Sequence, residues 1–293
     1  RLAVSLPVAH RLWKDADAVL AIGTRLFMQQ AQWGWDPDLK VVRIDVDPEE
    51  PNRLYKPTVA LVGEAADYSA ALLARLPRHN AARASREEEL AGHNAWLAER
   101  LTRLDPQVSY LKAIRNALPE DGIFVDEVTQ IGFASRLILP VYKPRTYISP
   151  GYQDNLGWGY GTALGVKAAM PDKPVVAVAG DGGFMYQIGE LATAVQHNIA
   201  VVVVVFDNGL FGNVRIIQND QFGGRTICSD LTNPDFAATA ESFGMAAFRV
   251  SAPEQLEKAI TDALALNKPA LVHVRCGEMP SPWDMLQMPR VRG

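Results

Sequence analysis

Apolar residues fall into two rhythms along this chain, and the rhythms predict its elements. Short, nearly unbroken runs predict buried strands: ADAVLAIG (16–23), KVVRIDVD (40–47), GIFVDEV (122–128), RTYISP (145–150), PVVAVA (174–179), IAVVVVVFDN (199–208) and PALVHVR (269–275). Between them, Ala and Leu recur at helical spacing over EAADYSAALLARL (64–76), SYLKAIRNALP (109–119), YQIGELATAVQHN (186–198), NPDFAATAESFGM (233–245) and PEQLEKAITDALAL (253–266). GYQDNLGWGYGTALGVKAAM (151–170) reads as a loop followed by a helix. Asn233 is the expected cap of its helix, with Pro234 at the first helical position. Strands alternating with helices imply a parallel sheet covered on both faces. The valine run at 201–205 belongs at its centre.

Two such blocks flank residues 77–105, where alanine and charge of both signs dominate, so a solvated connecting helix is expected. The first block is short for a complete doubly wound domain and reads as the second half of one. The expected division is part of an α/β domain over 1–77, a linker helix over 78–105 and a second α/β domain over 106–293.

Composition works by exclusion. Of 293 residues 48% are hydrophobic and 21% charged, as in ordinary globular chains, and the net charge of -4 gives no footprint for nucleic acid. No apolar run is long enough for a membrane span. Two cysteines, Cys228 and Cys276, fit a reducing, cytoplasmic setting and make no metal or disulfide pattern. The opening RLAVSLPVAHRLW has neither Met nor a cleavage site, so a piece of something longer is expected.

The chemistry gathers at VVAVAGDGGFMYQIGEL (175–191), where a carboxylate interrupts a glycine turn after a strand. Such turns cradle phosphates, which Asp181 alone would repel. Asn208 ends the next strand; if the two strands are neighbours, about 4.8 Å apart, both side chains emerge at the edge where open α/β sheets bind ligands. Asp and Asn oxygens, a backbone carbonyl and phosphate oxygens suit Mg²⁺. The N–H groups of Gly182 and Gly183 would hold a diphosphate from the other side. A dinucleotide fingerprint fails because its third glycine position is Met185. Taken alone, GDG is equally a tight connection with Asp181 as a helix cap.

GDG followed by DN at 207–208, within GDGGFMYQIGELATAVQHNIAVVVVVFDNGLFGNVR, resembles the thiamine diphosphate motif of the acetolactate synthase-like branch of that enzyme family. TNPDFAATAESFGM and KPALVHVRC resemble downstream elements of its diphosphate-binding domain. ADAVLAIGTRL and VVRIDVDPEE resemble the end of its middle domain. The resemblance implies a parallel-sheet α/β/α thiamine diphosphate-binding fold, preceded by part of a second Rossmann-like α/β domain.

It also implies roles. Asp181, Asn208 and the Leu210 carbonyl would bind Mg²⁺. Gln130, Gly180, Gly182, Gly183 and Leu210 would border the cofactor, and backbone at Asp154 and Leu156 would meet its aminopyrimidine. Leu156, which alone reads as core, would be the apolar wedge that bends the cofactor. Gln153, Phe211 and Val214 are candidates to face substrate, or simply pack their loops. Asp207 departs from the family's Asn. Gln29 stands where acetolactate synthases carry arginine, which argues against a strict assignment and against flavin.

The implied activity is decarboxylation or carboligation of 2-oxo acids by a homodimer or homotetramer. The catalytic glutamate is expected in a pyrimidine-binding domain outside these residues. Rival readings are a noncatalytic scaffold and a dinucleotide-dependent oxidoreductase. The tail around Trp283 reads as a surface wrap, or as a lid.

Overall fold

The computed structural model describes residues 4–80, 84–151 and 153–293. The chain divides into two compact units, residues 1–100 with 283–293, and residues 101–282.

The first unit contains α1 (Leu6–Asp15), β1 (Ala18–Ile22), β2 (Lys40–Asp45), β3 (Val59–Val62), α2 (Ala65–His79) and most of α3 (Glu87–Leu101). Its three strands are parallel in the order β1-β2-β3. β3 was not expected: four residues on a sheet edge, mostly exposed, carry too little apolar contrast. Trp13, Trp33, Leu39, Val41 and Met288 form the unit's core. Only Leu97 of α3 is buried, but Trp96 lies under the Arg11 guanidinium at 4.2 Å, so this charged helix also packs.

The tail belongs here too. The N–H groups of Val291 and Arg292 donate to the Trp33 carbonyl at 2.8 and 3.0 Å, and the Arg292 guanidinium binds Asp36 and the carbonyls of Trp13 and Ala16. Residues 283–293, read from sequence as the end of the second block, therefore wrap the first unit.

The second unit runs α4 (Gln107–Ala117), β4 (Ile123–Val125), α5 (Gln130–Ile138), β5 (Tyr147–Ile148), α6 (Gly159–Ala169), β6 (Val175–Gly180), α7 (Asp181–Met185), α8 (Glu190–Gln196) and β7 (Val201–Asp207). It continues with α9 (Gly212–Gln221), α10 (Phe236–Ser242), β8 (Ala246–Val250), α11 (Pro253–Ala265) and β9 (Ala270–Arg275), before the short α12 (Trp283–Leu286) of the tail. All six strands are parallel, ordered β5-β4-β6-β7-β9-β8.

β7 is central, as its valines foretold, and all seven of its residues are buried. Successive side chains point to opposite faces. Val202, Val204 and Phe206 meet Ile114, Ile131, Leu256 and Ile260 on one side. Val201, Val203 and Val205 meet Tyr160, Leu164, Leu191 and Phe236 on the other. This is the three-layer α/β/α arrangement, with each buried valine contributing roughly 1.5–2 kcal/mol.

Two expected helices begin elsewhere. The helix after the glycine turn starts at Asp181 itself, breaks into turns at 186–189 and resumes at Glu190. α10 is capped by Asp235, whose carboxylate accepts from the Ala238 N–H at 3.0 Å; Asn233 is not the cap. Among the described residues no helix is long and apolar enough to cross a membrane.

Candidate functional site

Strand order decides where the site lies. From β4 the chain passes outward to β5, then returns across β4 to β6 and β7. Connections diverge at that reversal and leave a crevice beyond the carboxyl ends of β4 and β6. A cleft lies there, bordered by Thr129 and Gln130 after β4, Gly180–Gly183 after β6, and Asn208 and Leu210–Val214 after β7.

Asp181 and Asn208 both line this cleft from neighbouring strands, as does Leu210. Asp181 is almost fully buried. Its Oδ1 accepts from the Gly182 N–H at 2.9 Å, and its Oδ2 from the Gly209 N–H at 2.8 Å and Asn233 Nδ2 at 2.7 Å. Burial raises its pKa against these hydrogen bonds. Asn208 Oδ1 accepts from the Leu210 N–H at 3.2 Å, which holds the β7 loop in a tight turn.

The glycines bring backbone close where a side chain would not fit. A Cβ on Gly182 would overlap the Phe211 ring, and one on Gly183 would overlap Glu127 Oε1. The Gly182 N–H, expected to face a diphosphate, is engaged by Asp181. Gln130 is largely buried in the cleft wall, and neither its Oε1 nor its Nε2 has a partner among the described residues. A buried amide with both atoms unpaired is uncommon without a ligand to satisfy it.

Leu156 lines the cleft opposite, carried by a loop held from behind. Arg136 grips Asp154 with two hydrogen bonds of 2.7 and 3.0 Å and reaches Asp126 at 3.3 Å. Asp126 also accepts from the Tyr147 hydroxyl at 2.9 Å, and burial pushes its pKa up to about 6. The Asp154 side chain therefore braces the loop and does not line the cleft. Gln153 is exposed and outside the cleft wall as well. Phe211 and Val214 do line it.

Sequence reasoning missed several residues. Asn233 Nδ2 bridges Asp181 and Asp207, reaching Asp207 Oδ1 at 2.8 Å. His273 Nε2 lies 2.9 Å from Asp207 Oδ2. Burial pushes the Asp207 carboxyl up, but His273 and Asn233 outweigh it and hold the pKa below the ordinary carboxylate range. Glu127 is fully buried, and burial pushes its pKa up to about 7. Two acids directly after the β4 run were the one sequence signal for it, since carboxylates rarely end a buried strand without a task.

The donor set near Asp181 fits a hard cation: one carboxylate, one amide oxygen and a backbone carbonyl. Among the described residues no three His, Cys, Asp or Glu side chains cluster to hold a metal.

Residues 127–274 match the family description "Thiamine pyrophosphate enzyme, C-terminal TPP binding domain". The chain belongs to the thiamine pyrophosphate enzyme family. Residues 3–72 match the family's central domain. The chain is 28% identical to the "Acetolactate synthase large subunit" of Haemophilus influenzae, over 94% of this chain and 50% of that protein. It is 28% identical to the "Sulfoacetaldehyde acetyltransferase" of Castellaniella defragrans, over 93% and 54% respectively. It is 30% identical to the "Probable 2-ketoarginine decarboxylase AruI" of Pseudomonas aeruginosa, over 89% and 47%. The chain thus spans about half the length of the curated relatives it matches, and lies in the acetolactate synthase-like branch.

Proposed function

We propose that this chain forms the diphosphate- and Mg²⁺-binding part of a 2-oxo acid decarboxylase or carboligase. The observation that carries the reading is the meeting of Asp181, Asn208 and the unpaired Gln130 amide in one cleft at the strand-order reversal. Bound thiamine diphosphate supplies a nucleophilic carbon that protein side chains lack. Asp181, Asn208 and the Leu210 carbonyl would hold the cation. Gln130 would satisfy its amide on the diphosphate, which Gly182 and Gly183 admit to close range. Leu156 would support the cofactor's bend, while Phe211 and Val214 keep water from the reacting carbonyl.

The acid that activates the cofactor is assigned to a region outside these residues. Glu127 is not that acid, because it lies behind the cleft wall. The chain alone would then bind without turnover, and the working enzyme would be a homodimer or homotetramer. A cytoplasmic setting belongs to the same reading, since Cys228 and Cys276 are free thiols. Calorimetry with Mg²⁺-thiamine diphosphate and with NAD tests the reading. Binding of the first alone supports it, binding of NAD favours an oxidoreductase, and binding of neither leaves a scaffold.

A further inference from the structure

Three glycines from two segments converge on one buried side chain, that of Glu127, and a fourth closes on its backbone. The Glu127 Oε1 accepts from the Gly157 N–H at 2.6 Å. A Cβ on Gly183 would overlap that same oxygen, and a Cβ on Gly159 would stand 2.7 Å from Oε2. At Gly132 a Cβ would overlap the Glu127 carbonyl, so the backbone of residue 127 is enclosed as well. Gly157 has φ of 79°, a conformation that favours glycine, directly after Leu156. Leu156 and Gly183 line the cleft, and Glu127 does not.

We propose that Glu127 is a positioning residue, a tie that joins the Gly157 amide to the glycine turn at Gly183 and so sets where Leu156 stands. This rests on the cofactor reading for its purpose, but the tie itself is a property of the chain. The carboxyl acts as an acceptor, and a neutral one suffices: one oxygen takes the Gly157 N–H, and burial favours the protonated form. Glutamine keeps an acceptor in the same place. Methionine fills the same space without one.

The test compares wild type, Glu127→Gln and Glu127→Met by hydrogen exchange at the Gly157 amide and by Mg²⁺-thiamine diphosphate titration. Exchange in Glu127→Met should rise about tenfold or more, with Glu127→Gln within about threefold of wild type. Affinity should follow the same order. If Glu127→Met fails to fold, Gly183→Ala, which drives a methyl against Oε1, should raise Gly157 exchange in its place. Equal Gly157 protection in the methionine and glutamine variants would reduce Glu127 to packing and overturn the proposal. Wild type that binds no cofactor overturns the functional reading, while the exchange contrast still decides the tie.

Discussion

Asp181 and Asp207 each follow a member of the registered pair Gly180–Phe206, at the ends of adjacent strands. Both are buried, and both accept from the Asn233 amide. Asp181 lines the cleft that also holds Asn208, and burial raises its pKa. Asp207 lines a neighbouring cleft with Asn233 and Arg275, meets His273, and is held low. The difference lies in the partners: at Asp207 an imidazole meets the charge, whereas Asp181 has only neutral donors and is left fit for a cation. It also accounts for Asp where the family usually has Asn. The extra charge is met by His273 and turned from the cleft.

Asp181→Ala should break the comparison outright. Affinity for Mg²⁺-thiamine diphosphate should fall by more than about 100-fold in calorimetry, more than loss of a supporting residue would cause. Phe184→Ala strikes both strand ends. Phe184 is fully buried, 5.7 Å from the Phe236 ring, which in turn lies 5.4 Å from His273. Denaturant unfolding should show a loss of about 3–5 kcal/mol.

Glu127→Gln sharpens the account through pH. Wild-type Glu127 has its pKa raised to about 7, from an ordinary value of 4.5. The unfolded chain ionises first, so wild-type stability falls as pH rises from about 4.5 to 7 and then levels. The glutamine variant lacks that slope and should gain relative to wild type by up to roughly 3 kcal/mol at neutral pH. Identical pH profiles would contradict this.

Asp207→Ala is the smallest effect on binding and the sharpest contrast. Taking an acceptor from His273 Nε2 and one of two from the Asn233 amide should cost about 1–3 kcal/mol of stability. Cofactor affinity should change by less than about fivefold, since Asp207 does not line the cofactor cleft.

Where burial and chemistry share a local pattern, the sequence could be read. The valine runs marked β6 and β7, and Asp181 stood out because a carboxylate inside a glycine turn needs a reason. Edge elements were harder. β3 and β8 are short and only partly buried, and β8 carries Arg249. Asn233 looked like a cap because caps and bridging amides share residue types, and only the packing of α10 beside β8 and β9 separates them. Glu127 was flagged only by its place after β4, because its partners Gly157, Gly159 and Gly183 come from segments the fold brings together. The tail, residues 283–293, carried no signal for which unit it would wrap.

The central claim is that one cation is gripped between the ends of β6 and β7. Crystals grown with Mn²⁺ and thiamine diphosphate test it most directly through anomalous scattering. The account predicts a peak about 2.1 Å from an Asp181 carboxylate oxygen, Asn208 Oδ1 and the Leu210 carbonyl oxygen. A peak beside Asp207 and His273 instead, or thiamine diphosphate bound with no metal between these groups, would contradict it.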